Sequence, residues 1–453
     1  MKTKFLTLIL LSCTSAFANV TTMFHPFDPT LNEIANYILE AEDTIDMALY
    51  NIDTSKTNPV IQALSSDDVQ RRIKNKSLNI RIIFEGYSSK EKKIAKMEKL
   101  EKLGVDARYL GMSRKMHHKF ATIDSSGDHP VLITGSANWS LSSRRNYNEN
   151  ILYFDGKPGI TMAFQNQFDL LWSKSKEFGF SNQRLNFQNV NPHRSAEMEE
   201  GFKVFFNTEN LKVTKRGFTK DSKKEGYVLT RQIVDLINNA ETSIEIATTR
   251  IKLRPIYEAL KSAAARGVKI DLLVTQGEYL PSYFRKNKKL KECTDIYVDK
   301  CSTSQNFSIF LEREDYEGKE NVSVRLKYFD LRKDLYLQKQ MHSKYIITDD
   351  KNLITGSFNW SVSAEYNHFE NIILVNGDKQ PEVLESFNMD FDRLWGMKRS
   401  SLKEFMNKLE NNVAKKNKIA CGFAPMALSF KEIDSMLSTG KRVKSISPLK
   451  LCK

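Results

Sequence analysis

Cysteine is scarce in this chain of 453 residues: there are five, and the first, Cys13, sits inside an apolar N-terminal segment. The rest, Cys293, Cys301, Cys421 and Cys452, are scattered, and no cluster of His, Cys and carboxylates has metal-ligand spacing. Long apolar runs are missing too. Beyond the N-terminal segment none reaches bilayer-spanning length, which argues against a transmembrane protein and leaves one that is soluble or peripheral. Acidic residues are in deficit, 55 against 69 Lys and Arg, so the net charge is +14 and the pI about 9.3. Such a balance points to an anionic partner, either a phospholipid surface or nucleic acid.

What is present begins with an address. Lys2 and Lys4 precede the apolar run Phe5 to Leu11, and Ala16-Phe17-Ala18 offers a small-x-small cleavage site before Asn19. Residues 1–18 are therefore read as a secretory signal, giving a periplasmic or secreted product, with lipoprotein anchoring at Cys13 the competing reading. Four cysteines then remain, and export invites the pairs Cys293 with Cys301 and Cys421 with Cys452. The overall composition, 40% hydrophobic and 27% charged, is that of a globular protein long enough for two cores.

The most informative stretch is Met341 to Ser361, MHSKYIITDDKNLITGSFNWS, with His342, Lys344, Asp349, Gly356, Ser357, Asn359 and Trp360. A second copy, MHHKFATIDSSGDHPVLITGSANWS, carries His117, Lys119, Asp124, Gly135, Ser136, Asn138 and Trp139 in the same order. The first copy is longer around Ser125 to Pro130, as a longer hairpin loop would be. In an extended strand, His and Lys two apart face the same side. An imidazole, an ammonium, a hydroxyl and a carboxamide on neighbouring strands suit a phosphate that is to be held and attacked.

The repeat extends beyond the motif. Ala41-Glu42-Asp43-Thr44-Ile45-Asp46-Met47-Ala48 returns as Ala240-Glu241-Thr242-Ser243-Ile244-Glu245-Ile246-Ala247, and the strand Asn79 to Phe84 returns as Lys269 to Val274. Phe164, Phe168 and Trp172 recur as Phe387, Phe391 and Trp395, at spacings that put the rings on one helical face and mark them as core. A unit of about 170 residues is thus duplicated, with strands alternating with helices. The expected fold is α/β: two α/β sandwich halves with mixed sheets, related by a pseudo-two-fold axis and sharing one site. The domains read as 19–193 and 194–400, joined near Asn191 to Ser195, followed by a basic tail at 401–453 with no counterpart after the first repeat.

Phosphodiester displacement needs a nucleophile and an acid on opposite sides of phosphorus, which two facing halves would supply. Lys119 and Lys344 would neutralise the non-bridging oxygens, with Ser136, Asn138, Ser357 and Asn359 as donors. Glu149 and Glu370, each in a Glu-Asn pair behind its motif, could return to orient the histidines. Asp124 and Asp349 end their strands and are expected to brace the turn before Gly-Ser rather than touch substrate. His118 alternates away from the site, and His25, His129 and His193 are isolated.

The paired HxK(x)4D and GSxN stretches resemble the phospholipase D superfamily from about Val20 to Lys398. The Trp-Ser and Glu-Asn details are similar to its nuclease and cardiolipin-hydrolase branch. That resemblance implies a bilobal fold, a phosphohistidine intermediate, no cofactor or metal, His117 as nucleophile and His342 as general acid. Three functions follow as alternatives: a phospholipase D acting on phospholipid headgroups, a secreted nuclease, and a catalytically silent lipid- or DNA-binding protein. With both motifs in one chain, a monomer is expected.

Overall fold

The computed structural model describes residues 19–85, 90–110, 114–177, 195–215, 217–276, 318–330, 339–415 and 422–441. The five cysteines, the N-terminal signal, His193, most of the expected domain junction and the basic run Arg285 to Lys291 lie outside them. No helix among the described residues is long and apolar enough to cross a membrane.

Two sheets of eight strands each make up the frame. In the first the order is Asn19–His25, Glu149–Asp155, Val131–Gly135, Lys119–Ile123, Thr44–Leu49, Asn79–Phe84, Asp106–Tyr109 and Lys176–Glu177. In the second it is Phe202–Phe206, Asn371–Asn376, Asn352–Gly356, Lys344–Thr348, Ser243–Thr248, Lys269–Thr275, Val322–Asp330 and Gly422–Ser429. Both are mixed. Thr44–Leu49 runs parallel to Asn79–Phe84 and antiparallel to Lys119–Ile123, and the second sheet repeats this with Ile244 opposite Ile270 and Thr348. The duplicated α/β architecture is as the repeat implied.

The stretch expected as a tail belongs to the second half. Gly422–Ser429 pairs antiparallel with Val322–Asp330, and Leu409, Met426, Leu428, Phe430, Ile433 and Met436 are buried in that half's core. Its counterpart in the first sheet is the two-residue strand Lys176–Glu177. A basic composition had masked an amphipathic pattern: one apolar face is enough to dock a helix whose other face is charged.

Side-chain alternation sorts the core into layers. Ile45, Met47 and Leu49 enter the first half's own core, whereas Ala48 faces an apolar layer shared by both halves. Ile246 and Ala247 divide in the same way. Two helices fill the shared layer, Pro158–Trp172 and Pro381–Trp395, whose aromatic stripes were expected to be core. Phe164 meets Phe206 edge to face across the seam, and Phe387 meets Phe24. Each such ring removes ~150–250 Å² from water, worth roughly 4–6 kcal/mol at ~25 cal/mol per Å² before entropy is subtracted. One continuous core therefore fixes the two halves against each other, which a site shared between them requires.

Candidate active site

Each His-x-Lys triplet lies where the chain enters a central strand. Pairing of Leu49 with Lys119 and of Thr248 with Lys344 sets the two lysines at matching points of the two sheets. Lys119 Nζ donates to the His117 carbonyl at 2.7 Å and lies 3.1 Å from His117 Nδ1. Lys344 Nζ repeats this with the His342 carbonyl at 2.5 Å and Nδ1 at 3.3 Å. All four side chains are buried or nearly so.

The Gly-Ser-x-Asn-Trp-Ser block follows on the adjacent strand. Gly135 and Gly356 have φ of 154° and 151°, and a Cβ there would meet the backbone oxygens of Asn150 and Asn371 at 2.3 and 2.4 Å. Only glycine lets the Glu-Asn strand approach so closely. Ser136 Oγ accepts the Asn150 N–H at 3.0 Å, while Ser357 Oγ accepts that of Asn371 and donates to Glu370 Oε2 at 2.6 Å. Both serines are fully buried, so these hydroxyls, expected to reach substrate, hold the Glu-Asn segment instead. The closing serines, Ser140 and Ser361, cap short helices that lead on to Glu149 and Glu370.

The glutamates cross over. Glu149 Oε1 stands 3.0 Å from Nδ1 of His342, and Glu370 Oε1 stands 2.8 Å from Nδ1 of His117. Each carboxylate thus serves the histidine of the opposite half, a choice that the spacing had left open. The backbone makes the same exchange: His117 N–H donates to the Phe369 carbonyl at 3.2 Å and His342 N–H to that of Asn148 at 2.9 Å. Asn359 Nδ2 also reaches over, to 3.4 Å from His117 Nε2. The two motifs are therefore interlocked at one seam.

Family comparison agrees with this duplicated geometry. The model of the cardiolipin synthase, PLD-like domain matches residues 34–172 and again 233–395. The chain belongs to the phospholipase D superfamily. Curated relatives include a mitochondrial cardiolipin hydrolase of Chlamydomonas reinhardtii, 30% identical over 147 residues, which are 32% of this chain and 59% of that one. A phospholipase D of Rickettsia prowazekii is 29% identical over 153 residues, 34% of this chain and 57% of the relative. A shorter match, 39% over 75 residues, covers 17% of this chain and 33% of the cardiolipin hydrolase of Xenopus tropicalis. The chain thus spans between a third and three-fifths of the length of these relatives. Among solved structures, phosphatidylserine synthase of Haemophilus influenzae superposes over 82% of this chain and 86% of its own, with a TM-score of 0.53 at 13% identity. That likeness is one of fold.

Within this phospholipase D-like seam, burial governs the electrostatics. Loss of solvent pushes His117 well below the ordinary imidazole value and His342 down to about 4, with Glu370 and Glu149 opposing and the lysines reinforcing. Burial likewise lowers Lys119 to about 8 and Lys344 to about 7. Burial alone would raise Glu370, but His117, His368 and Lys119 outweigh it and hold the carboxyl well below its usual range. Lys119 is felt at His342 and at Lys344, and Glu149 at Lys119, so the charges of both halves form one set.

Other expected residues settle elsewhere. Asp124 accepts the backbone N–H groups of Glu42, Asp43 and Thr44 at 2.7–2.8 Å, and Asp349 those of Glu241, Thr242 and Ser243. They brace the helix-to-strand turn ahead of each central strand, away from the histidines. His118 points into the seam, its Nδ1 3.0 Å from Asn371 Oδ1. His25 is a core residue, its Nε2 2.5 Å from Thr30 Oγ1.

Three neighbours escaped the sequence reading. Tyr50 lies 4.7 Å from the His117 ring, Tyr147 covers His342 at 5.5 Å, and His368 lies 5.4 Å from His117. His117, His368 and Glu370 together form a cluster of metal-ligating type, which the spacing along the chain had not revealed. A signal did exist for His368: it precedes Glu370 by two, the strand interval that puts both on one side.

Proposed function

We propose that this protein is a phosphodiesterase of the phospholipase D type, hydrolysing phospholipid headgroup esters through a phosphohistidine. The observation that supports it most is the crossed pairing, which gives two equivalent His-Glu units at one seam. A carboxylate facing Nδ1 favours the tautomer with its proton there, leaving Nε2 of His117 with a free lone pair. That nitrogen attacks phosphorus. As the N–P bond forms and the ester P–O bond breaks, His342 passes a proton from Nε2 to the leaving oxygen. The anionic diester, together with Glu149, supplies the negative potential that keeps a proton on His342 in the complex. His342 then takes a proton from water, which attacks phosphorus and releases His117.

Lys119 and Lys344 neutralise the non-bridging oxygens, and the carboxamides of Asn138 and Asn359 donate to them. Relatives named for cardiolipin hydrolysis and for phospholipase D favour a lipid diester, and the net charge of +14 suits an anionic surface. Because both motifs reside in one chain, a monomer is complete. The N-terminal segment supports export, and sequencing of the mature N-terminus at Asn19 tests it.

The deciding assay presents labelled phosphatidylcholine, phosphatidylglycerol, cardiolipin, and single- and double-stranded DNA, all in chelator. Headgroup release without DNA cleavage is expected. DNA cleavage alone would replace this reading with that of a nuclease, and binding without turnover with that of a silent binder.

A further inference from the structure

His368 is left unused by the reaction just described, yet it sits beside its centre. Its Nδ1 is 3.5 Å from Glu370 Oε1, which is itself 2.8 Å from His117 Nδ1. Ligand atoms of the three residues all lie within 4.8 Å of one another. His368 Nδ1 and Glu370 Oε1 are buried and make no well-directed hydrogen bond among the described residues, although both have polar neighbours. Two ring nitrogens and a carboxylate oxygen converging in so small a space are a ready set of ligands for a cation, which would displace the one proton that His117 and Glu370 share. Two imidazoles and one carboxylate oxygen suit zinc and similar transition ions, whereas magnesium and calcium prefer oxygen ligands throughout.

Among the described residues, the other half offers no such site. Tyr147 occupies the place matching His368, and Glu149 Oε1 already accepts a hydrogen bond from Ser143 Oγ at 2.6 Å. The difference singles out one of two otherwise equivalent histidines.

We propose that His117, His368 and Glu370 form a binding site for a divalent transition-metal ion such as Zn²⁺, and that its occupancy arrests turnover. The arrest, though not the binding, rests on the reaction proposed above. A metal on Nδ1 of His117 takes the lone pair there, and the imidazole proton then resides on Nε2. The attacking nitrogen loses its lone pair, and Glu370 is drawn from orienting the ring to holding the ion.

The test is calorimetric titration of ZnCl₂ into the full chain, freed of metal and without substrate, beside His368→Tyr and His368→Gln. Tyrosine already fills the matching position across the seam, and melting curves of both variants verify folding. Wild type is expected to take up one ion more than either variant, or to bind that ion at least tenfold more tightly. Zinc held by cysteines persists in all three and cancels. Stoichiometric Zn²⁺ should stop diester cleavage by the wild type, reversibly on chelation, while both variants resist and Mg²⁺ does nothing. Equal zinc binding in wild type and variants would overturn the site, and cleavage undiminished by bound zinc would overturn the arrest. Zinc bound as expected in a chain that cleaves no diester would leave the site standing and sink the proposed reaction instead.

Discussion

The two halves place different residues around equivalent histidines. His117 lies among Tyr50, His368 and Asn359, whereas His342 lies against Tyr147. Beneath the second motif is a buried lysine, Lys327, whose Nζ donates to the carbonyls of Gln340 and Asn146 at 2.8 and 3.3 Å. It ties the approach to His342 to the other half, and burial brings it down to about 7. The first sheet has Leu110 at the matching place. The backbone is repeated twice, while the side chains around the two histidines differ.

The sharpest way to break the comparison is to remove each histidine in turn. His117→Ala and His342→Ala should each lower headgroup release by on the order of 10³-fold or more with the circular-dichroism spectrum unchanged. They should differ on a diester with a nitrophenol leaving group, which needs no acid: the His342 variant recovers most of its rate and the His117 variant none. Recovery by both, or by neither, would remove the distinction between nucleophile and acid.

The crossed carboxylates come next. Glu149→Gln should mimic loss of His342, and Glu370→Gln loss of His117, each by roughly 10²–10⁴-fold. Double-mutant cycles should find Glu149 coupled to His342 and not to His117. Coupling within halves would contradict the geometry.

Symmetry itself is tested by Gly135→Ala and Gly356→Ala. Each added methyl meets a backbone oxygen, so both should lose about 1–3 kcal/mol in urea melts, and by similar amounts. Acid should act on both halves together. His25, His118 and His342 are held near 4 against an ordinary 6.5, and His117 is also held well below it, chiefly by burial. In the unfolded chain these rings take protons first, so the stability that depends on keeping them neutral is complete above pH 6.5 and falls as pH drops toward 4. A melting temperature flat across that window would refute it. Smallest of all, Asp124→Ala and Asp349→Ala should each cost about 1 kcal/mol, as for a lost cap, and leave kcat unchanged.

Much of this was legible because repetition carries information that one copy lacks. The strands Asn79–Phe84 and Lys269–Thr275 fall where the repeat placed them. What the sequence could not supply was partner choice across the seam. Glu149 follows both its own motif and precedes the other, and spacing is silent on which histidine it meets. Ser136 and Ser357 were misread for a related reason: a hydroxyl in a motif looks ready for substrate until the close approach required by Gly135 and Gly356 shows what it already holds. Lys327 shares its strand, Val322–Asp330, with Arg325 and Asp330, so its charge did not stand out in the sequence.

The exchange of carboxylates has a consequence for the life of the chain during synthesis. His117 is made early, but the residue that steadies it, Glu370, emerges only when more than three-quarters of the polypeptide exists. A product truncated between Glu177, where the first sheet ends, and Glu370 would contain His117 without the carboxylate that steadies it. Both crossed pairs are therefore complete only once the last of their four residues, Glu370, has been made.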